Sequence, residues 1–285
     1  MTYRQICEAL QNAGIESAAW DAELLIGHFC GATRAQILAA PDRSYEEKDL
    51  LEAVSRRAER YPLQYLLGEW GFYRHDFFVS PDCLIPRPDT EILVEEAIKR
   101  LRTGATFADL CTGSGCIAVS VLAARPDTRA VAVDKFSRTL SIAQKNAERC
   151  GVADRLEAVE ADLLTPDFYC TPHRFDAILC NPPYIRTSVI EGLEQELFCE
   201  PLAALDGGED GLVFYRQILS SCKPILADGG LILFEIGYDQ ADEVEALGRE
   251  YGFSSLGVIR DLGGQARVVI FTSRSLDKDA DGSIS

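Results

Sequence analysis

The sequence has no apolar run that approaches the ~18 residues needed to span a membrane. Its hydrophobic fraction of 47% and charged fraction of 26% are typical of globular proteins. Four acidic residues near the start, Glu8, Glu16, Asp21 and Glu23, interrupt the stretch where a signal peptide needs an unbroken apolar segment. We therefore expect neither membrane insertion nor export, and we expect a cytoplasmic protein.

Metal-binding clusters and disulfide frameworks are also missing from the sequence. The histidines, His28, His75 and His173, are far apart, and the closest cysteines, Cys111 and Cys116, do not form a CxxC pair. The ten cysteines are instead scattered through apolar runs, as buried thiols are in a reducing compartment. We expect no metal site and no disulfide bonds.

Positive charge is scarce, because 28 lysines and arginines stand against 45 aspartates and glutamates, which gives a net charge of −17. Nucleic-acid affinity comes largely from lysine and arginine side chains that neutralise phosphates. The sequence therefore disfavours direct nucleic-acid binding. It also contains no internal repeat, and we expect a monomer.

The length of 285 residues favours one medium domain and one small domain. Residues 1–68 have helical spacing, and their last stretch, "SYEEKDLLEAVSRRAERYPLQYLLG", opens on a serine that is a candidate cap. Aromatic and β-branched residues between turn signals predict a β-hairpin linker over residues 69–86. Residues 87–275 then form the main domain, in which Asp89 or Thr90 is the expected cap of a helix, and the polar tail 276–285 is predicted to be disordered.

From residue 106 onward, short apolar runs alternate with helical stretches. The runs are "TFADLCTG", "RAVAVD", "LEAVEAD", "FDAILCNPP", "GGLILFEIG", "SSLGVIRD" and "ARVVIFTS". This alternation predicts an α/β fold with a doubly wound, mostly parallel sheet. The last two runs are too close in sequence for a crossover helix, so we expect them to pair antiparallel and to give one antiparallel edge strand.

Three of the predicted strands end in residues suited to a nucleotide. Gly113 and Gly115 in "DLCTGSGCIA" allow a tight turn before a helix at about Cys116, although such a turn alone is equally typical of an ordinary strand-to-helix connection. Asp134 ends the second run, where it could accept both ribose hydroxyls, cap the next helix, or do both. After the third run, Asp162 could reach an adenine amino group or serve only as a turn residue, and Leu163 could contact the ring. Together they predict an adenosine cofactor.

The fourth strand ends in "NPPY", which is an unusual way for a buried strand to stop. Pro182 and Pro183 stiffen the turn, and the Asn181 side-chain oxygen and the Pro182 carbonyl are two acceptors for a planar –NH₂ group. Tyr184 would provide an aromatic wall. Because such a nitrogen is a poor nucleophile, positioning must carry the catalysis, and a sulfonium methyl is the natural electrophile. The alternative is a strand-ending turn with a buried tyrosine.

These motifs carry a family resemblance. "NPPY", "DLCTGSGCIA" and "VDKFSRTLSIAQKNA" resemble the class I, Rossmann-like S-adenosylmethionine-dependent methyltransferases that modify planar amino or amide nitrogens. The narrower resemblance is to the release-factor glutamine methyltransferases, the HemK-like family. The segments "RYPLQYLLGEWGFYRHDFFVSPDCLIPRPDTEILVE", "EPLAALDGGEDGLVFYRQIL" and "GGLILFEIG" are similar to further blocks of that family. Only the first sixty or so residues and the tail match weakly.

The resemblance implies that the enzyme methylates the glutamine in the Gly-Gly-Gln loop of peptide chain release factors, and that the helical domain recognises this substrate. By position, the residues that hold substrate would be Asn181, Pro182, Pro183 and Tyr184. The residues that contact S-adenosylmethionine would be Cys111, Thr112, Gly113, Ser114, Gly115, Asp134, Asp162, Leu163 and Asn181. The family usually has glycine at the position of Cys111, so the first contact of the loop depends on a negative φ at this residue.

Other functions are compatible with some of these sequence motifs. A nicotinamide-dependent oxidoreductase shares the glycine turn and the acid but has no need of NPPY, and a cofactor-binding module without catalysis has no use for Asn181. A DNA amino-group methyltransferase would use the same tetrapeptide, but the chain has no long basic stretch. A glutamine of a ribosomal protein is the alternative protein substrate. The chain's own Gly-Gly-Gln, at 263–265, lies in a predicted turn, and we interpret it as coincidence without self-methylation.

Overall fold

The computed structural model describes residues 1–274, and the tail predicted to be disordered, 276–285, lies outside the described residues. Its helices are α1 (Tyr3–Asn12), α2 (Ala18–Cys30), α3 (Arg34–Ala39), α4 (Lys48–Ala58), α5 (Leu63–Leu67), α6 (Glu91–Arg100), α7 (Cys116–Ala124), α8 (Ser137–Arg149), α9 (Thr187–Ile190), α10 (Val213–Ser221) and α11 (Ala241–Glu250). Its strands are β1 (Glu69–Phe72), β2 (His75–Phe78), β3 (Thr106–Leu110), β4 (Arg129–Asp134), β5 (Leu156–Glu160), β6 (Phe175–Cys180), β7 (Leu226–Glu235), β8 (Ser254–Arg260) and β9 (Ala266–Thr272).

The chain begins with a helical region, α1 to α5, as the sequence predicts. Helix α1 starts at a capping box in which Thr2 and Gln5 satisfy each other's backbone N–H groups. The predicted serine cap is wrong, because α4 starts at Lys48 and Ser44 lies in an isolated bridge with Thr2. The long helical stretch is also interrupted before α5, because Pro62 cannot donate the backbone hydrogen bond that a continuous helix requires there.

A two-stranded antiparallel hairpin follows the helices and confirms the prediction for this segment. Strands β1 and β2 pair from Glu69 with Phe78 to Phe72 with His75. Tyr73 in the connecting turn has a φ of 54°, which permits the tight reversal between the strands. Phe72 and Phe77 are buried in the hydrophobic core beneath one face of the main sheet, so the hairpin is packed against the larger part of the molecule.

The main sheet has seven strands in the order β5-β4-β3-β6-β7-β9-β8. The mostly parallel sheet is confirmed, and β9 is the antiparallel strand, paired with β7 on one side and β8 on the other. The predicted place of the antiparallel strand is wrong by one position, since the edge strand is β8. The short β8–β9 connection enforces antiparallel pairing, and β9 then returns beside β7, which leaves β8 outside it.

The central strands are buried on both faces because helices cover the sheet on each side. Along β6, Ile178 and Cys180 belong to one hydrophobic core, whereas Ala177 and Leu179 belong to the other. This alternation explains why the segment reads as a continuous apolar run in the sequence. The Gly-Gly-Gln sequence at 263–265 lies in the connection between β8 and β9, as predicted.

Ion pairs to Glu196 connect the helical region to the segment that follows α9. The Arg57 guanidinium lies 2.7 Å from the Asp21 carboxylate, and it also donates to Glu196 at 3.3 Å. Arg60 reaches the same Glu196 carboxylate at 3.2 Å. Glu200 in the same segment accepts from the backbone N–H of Ile85 at 3.0 Å. Residues 196–200 are therefore fixed to both the helical region and the inter-domain segment.

No helix within residues 1–274 is long and apolar enough to cross a membrane. The ten cysteines are all free thiols, although Cys170 is exposed and only Cys83, Cys116, Cys180 and Cys222 are buried. Burial of the thiols, which their apolar sequence surroundings suggest, is therefore found for only part of them.

Two helical glycines give a test of the packing between α11 and β9. A methyl group at Gly248 would collide with the ring of Phe271, whereas one at Gly27 in α2 would meet only the Ala32 carbonyl at 3.5 Å. We expect Gly248→Ala to lower the free energy of unfolding by about 1–3 kcal/mol. Gly27→Ala should leave it unchanged or raise it by up to ~1 kcal/mol. Equal denaturant midpoints for the two variants would contradict this packing.

Candidate active site

The register of the sheet brings the predicted site residues together. Leu110 at the end of β3 pairs with Val133 of β4 and with Cys180 of β6. The residues that follow these three, Cys111, Asp134 and Asn181, therefore lie side by side at the carboxyl edge. Open α/β sheets bind ligands at this edge, so the geometry places the candidate site where the fold favours one.

A cavity of about 530 Å³ opens at this edge, which is within the usual range for a small-molecule site. Six of the nine predicted cofactor residues line it: Cys111, Gly113, Asp134, Asp162, Leu163 and Asn181. The other three, Thr112, Ser114 and Gly115, lie outside the lining. Thr112 and Ser114 are almost fully buried, and Gly115 packs against α8.

The glycine turn has a definite steric cause. Gly113 and Gly115 have φ values of 55° and 78°, in the left-handed region that favours glycine. A Cβ at Gly115 would also lie only 2.9 Å from the Cβ of Ala143. The glycines therefore let the backbone turn at the cavity while keeping the turn in close contact with α8.

Asp134 organises the backbone at the cavity floor. Its carboxylate accepts hydrogen bonds from the N–H of Gly113 at 3.1 Å and of Phe136 at 3.2 Å. Burial raises the pKa of Asp134, while these backbone donors oppose the shift. The alternative role as a helix cap is not observed, because Phe136 occupies the N-cap of α8 without a side-chain cap bond.

Asp162 and Leu163 follow β5 and line the same cavity as the glycine turn. Asp162 forms an ion pair with Lys135 at 2.8 Å and accepts from the Leu164 N–H at 3.0 Å. The hydrogen bond from Lys135 is the main reason that the pKa of Asp162 is lowered. The turn role considered for Asp162 is therefore present, and its carboxylate is already paired with an ammonium group. Leu163 is buried.

The backbone conformation of Cys111 is not the one that a backbone contact with the cofactor requires. Its φ is 57°, so the negative φ on which a backbone contact at this residue depends is not present. A non-glycine residue in the left-handed region carries steric strain between Cβ and the following backbone. On the neighbouring strand, burial raises the pKa of the Cys180 thiol, and the nearby Cys111 side chain raises it further. Cys111 therefore adopts the left-handed backbone conformation that favours glycine, the residue that the family usually has at this position.

The NPPY residues lie between the large cavity and a smaller one of about 100 Å³. Asn181 lines both cavities, Pro183 lines the large one, and Pro182 and Tyr184 line the small one. The Asn181 Nδ2 group donates to the Thr90 hydroxyl at 3.2 Å. The Tyr184 carbonyl accepts from Gln240 at 3.0 Å, and burial raises the pKa of the Tyr184 phenol. The tetrapeptide is thus anchored from two sides.

Two acidic residues of the site were missed in the sequence. Asp109 accepts from the Thr112 hydroxyl at 2.6 Å and from the Ala118 N–H at 3.1 Å, while Glu235 ends β7 and lines the small cavity. Burial raises the pKa of each to about 7. Among the described residues, Asp109 Oδ1 and Glu235 Oε2 have no hydrogen-bond partner. The position of Glu235 at a fifth strand end was a usable signal, by the same argument that identified Asp134.

The strand order, the single antiparallel strand next to the edge, the glycine turn after the first strand and the NPPY turn after the fourth together define a class I methyltransferase. Two family models match the chain: "PrmC N-terminal domain" over residues 2–68 and "Methyltransferase small domain" over residues 88–228. A solved methyltransferase from Pyrococcus furiosus has a similar fold, with a TM-score of 0.53 at 18% identity, and the match covers 70% of this chain and 88% of that one.

Curated relatives narrow the class. A release factor glutamine methyltransferase from Moorella thermoacetica is 39% identical over 94% of this chain and 97% of its own length. One from Caulobacter vibrioides is 36% identical over 96% of both chains. The chain belongs to the release factor glutamine methyltransferase family, which confirms the predicted resemblance and makes it an S-adenosylmethionine-dependent protein-glutamine methyltransferase by membership.

The strain at Cys111 can be measured by comparing two variants that both remove the thiol. Cys111→Ala retains a Cβ at a φ of 57°, whereas Cys111→Gly does not. We expect the glycine variant to have a free energy of unfolding about 1 kcal/mol higher than the alanine variant. Chemical denaturation of the two proteins measures the difference. If the alanine variant is equally stable or more stable, the left-handed backbone carries no strain.

Proposed function

We propose that the protein transfers a methyl group from S-adenosylmethionine to the side-chain amide nitrogen of the glutamine in the Gly-Gly-Gln motif of peptide chain release factors. The observation that carries this proposal is the position of Asn181 between the large and the small cavity. A residue at that junction can touch a cofactor on one side and an amide group on the other. The names of the relatives supply the substrate class.

The large cavity fits an adenosine cofactor in size and in the chemistry of its lining. Asp134 would accept the ribose hydroxyls, Leu163 would contact the adenine ring, and Asp162 would lie near the adenine amino group. Cys111, Thr112, Gly113, Ser114 and Gly115 would contribute through the turn that they form. The bound cofactor supplies an electrophilic methyl group on a sulfonium, and S-adenosylhomocysteine is the product.

The small cavity would hold the planar amide of the substrate. The Asn181 Nδ2 group donates to Thr90, so its Oδ1 is left as the acceptor for one amide hydrogen. The Pro182 carbonyl would accept the other hydrogen, Pro183 would stiffen the turn, and Tyr184 would flank the amide plane. Holding both hydrogens aims the nitrogen at the methyl carbon and stabilises the positive charge that develops on it.

Methyl transfer to the bound amide requires one bond to form, one bond to break and one proton to leave. The nitrogen forms a bond to the methyl carbon, the carbon–sulfur bond breaks with its electron pair on sulfur, and the amide loses one proton to water. Asn181 and Pro182 are needed throughout, because their oxygens are the acceptors that face the amide hydrogens. The side chains therefore act mainly by orientation and electrostatics.

Substrate recognition would belong to the helical region, residues 1–68, with 69–86 as linker and 87–275 as methyltransferase domain. The residues that line a cleft of about 580 Å³ include Trp20, Arg57, Trp70, Arg87 and Leu197. Leu197 and Arg87 also line the small cavity, so the cleft is continuous with the proposed amide site. A protein loop bound there would reach Asn181. We place the enzyme in the cytoplasm as a monomer that acts on a protein without binding nucleic acid directly.

Asp134→Ala tests the cofactor site. Removing a carboxylate that accepts ribose hydroxyls should weaken binding of S-adenosylhomocysteine about tenfold or more. Glu160→Ala is the matched control, because Glu160 pairs with Asp134 in the sheet register but is exposed. Calorimetric titration of both full-length variants measures the effect. Equal affinities of the two variants, with unfolding midpoints like wild type, would rule out the ribose role.

Asn181→Ala tests the chemistry. We expect the single-turnover rate of release-factor methylation to fall ~10²–10³-fold. Asn181→Asp should retain cofactor binding but also slow turnover, because a negative charge attracts the sulfonium more strongly before its charge disperses. The readout is the mass of the Gly-Gly-Gln peptide, and exposed Ser188→Ala serves as the control.

The same assay distinguishes the substrates. A release factor with Gly-Gly-Ala in place of Gly-Gly-Gln should gain no methyl group, and the intact mass of the enzyme should not change. Methylation of a ribosomal protein in place of the release factor would overturn the substrate assignment. Near-normal rates in Asn181→Ala would overturn the assigned role of the NPPY turn.

A further inference from the structure

Arg87 lies where the small cavity meets the cleft of about 580 Å³. It lines both spaces, and the 3-10 turn Gln195–Cys199 contributes Leu197 to both as well. Within the described residues, Arg87 is the only lysine or arginine that lines the small cavity. Its side chain is 36% exposed, so the guanidinium is accessible to a ligand.

The position of Arg87 is fixed at both its backbone and its guanidinium. Pro88 follows it and restricts Arg87 to extended backbone, which is observed as a φ of −104° and a ψ of 143°. The guanidinium donates to one oxygen of the Glu200 carboxylate, whose side chain is 2% exposed. The other oxygen accepts from the Ile85 N–H at 3.0 Å. Because both Glu200 oxygens are occupied, the ion pair is held in one arrangement.

Arg87 has hydrogen-bonding capacity that its neighbour in the cleft lacks. An arginine side chain carries five N–H donors, and in residues 1–274 the Arg87 guanidinium forms one hydrogen bond, to Glu200. Arg57 in the same cleft is 9% exposed and is bonded to two carboxylates, those of Asp21 and Glu196. Arg87 therefore offers donors that a ligand can use, and Glu200 neutralises its charge.

The sizes of the two spaces determine which part of a substrate reaches Arg87. A cavity of about 100 Å³ has room for a side-chain amide but not for the peptide backbone that carries it. The backbone must then remain in the larger cleft, beside Arg87. In a Gly-Gly-Gln segment, the two glycines have no side chain and present only backbone N–H and C=O groups. Guanidinium donors at this place match the carbonyl oxygens of such a segment.

We propose that Arg87 donates hydrogen bonds to backbone carbonyl oxygens of the Gly-Gly segment that precedes the methylated glutamine, and that Glu200 positions it for this contact. The inference rests on the proposed function, because that function places the glutamine amide in the small cavity. Glycines allow the guanidinium to approach the backbone closely, since no Cβ lies in the way. Arg87 would thus recognise the part of the motif that has no side chains.

Replacing Arg87 in the full-length enzyme tests the contact. In Arg87→Met, we expect the KM for the release factor to rise about tenfold or more while kcat stays within about threefold, because the lost contact is one of binding. Affinity for S-adenosylhomocysteine should stay within about twofold, because Arg87 does not line the large cavity. Arg102→Met is the matched control, since it breaks an ion pair with Asp176 at the opposite end of β6.

Further variants separate substrate binding from a structural role. Arg87→Lys keeps a positive charge beside Glu200 but loses the planar fork, so the KM should still be raised. The double variant Arg87→Met/Glu200→Gln leaves no unpaired buried charge, and we expect its KM to remain raised about tenfold or more. A return of the KM to near wild type in the double variant would show that Arg87 only neutralises Glu200 and would overturn the proposal. An unchanged KM in Arg87→Met would overturn it as well.

Binding without turnover locates the contact on the substrate. In the presence of S-adenosylhomocysteine, Arg87→Met should bind the release factor about tenfold more weakly than wild type does, and a Gly-Gly-Ala release factor should show the same ratio, because its backbone carbonyls are retained. An effect confined to the Gly-Gly-Gln form would place the contact on the glutamine side chain and contradict the proposal. The same ratio with a release factor that lacks the loop would place the contact elsewhere and contradict it too.

These titrations also distinguish this inference from the proposed function. If wild type binds the release factor without methylating it, the proposed function fails, while the titrations still decide the role of Arg87. If wild type methylates the release factor and Arg87→Met binds it normally, the inference fails and the proposed function stands. No binding of the release factor to wild type would overturn both.

Discussion

The parallel register around β3 is the constraint on which the site depends. Leu110 pairs with Val133 on one side and with Cys180 on the other, so three connections that are far apart in sequence begin at the same level. A shift of one residue in either pairing would turn the side chains of a whole strand to the opposite face. Because β3 and β6 are buried on both faces, such a shift would strongly destabilise the fold. The fixed register in turn keeps Asp134 and Asn181 at the same level of the sheet.

Much of this arrangement can be predicted from the sequence because it depends on local patterns. Apolar runs of strand length predict all seven strands of the main sheet, and glycines and prolines at their ends predict the turns. The parallel topology then requires that Cys111, Asp134 and Asn181 meet at one edge. The family follows from the same residues, since NPPY and the glycine turn occur at the strand ends that the class requires.

What the sequence does not reveal depends on contacts between distant segments. Thr90, the last residue of the 3-10 turn before α6, accepts a hydrogen bond from the Asn181 amide 91 positions away, and no local pattern records that contact. The short β8–β9 connection requires the two strands to pair with each other, but it does not determine which of them also pairs with β7. In the structure that strand is β9. At Cys111, the turn imposes a left-handed backbone that a cysteine does not favour. The residue type alone would therefore predict the wrong sign of φ.

The two buried acids, Asp109 and Glu235, couple folding to proton uptake. Burial raises their pKa values from 3.8 and 4.5 to about 7, so the folded chain holds protons that the unfolded chain releases. The stability that their neutral forms contribute is complete below about pH 4 and is lost as the pH rises to about 7. At neutral pH these two buried carboxyl groups are therefore partly ionised in surroundings that solvate charge poorly. Because Glu235 lines the small cavity, positive charge bound there would favour its ionised form and oppose its protonation.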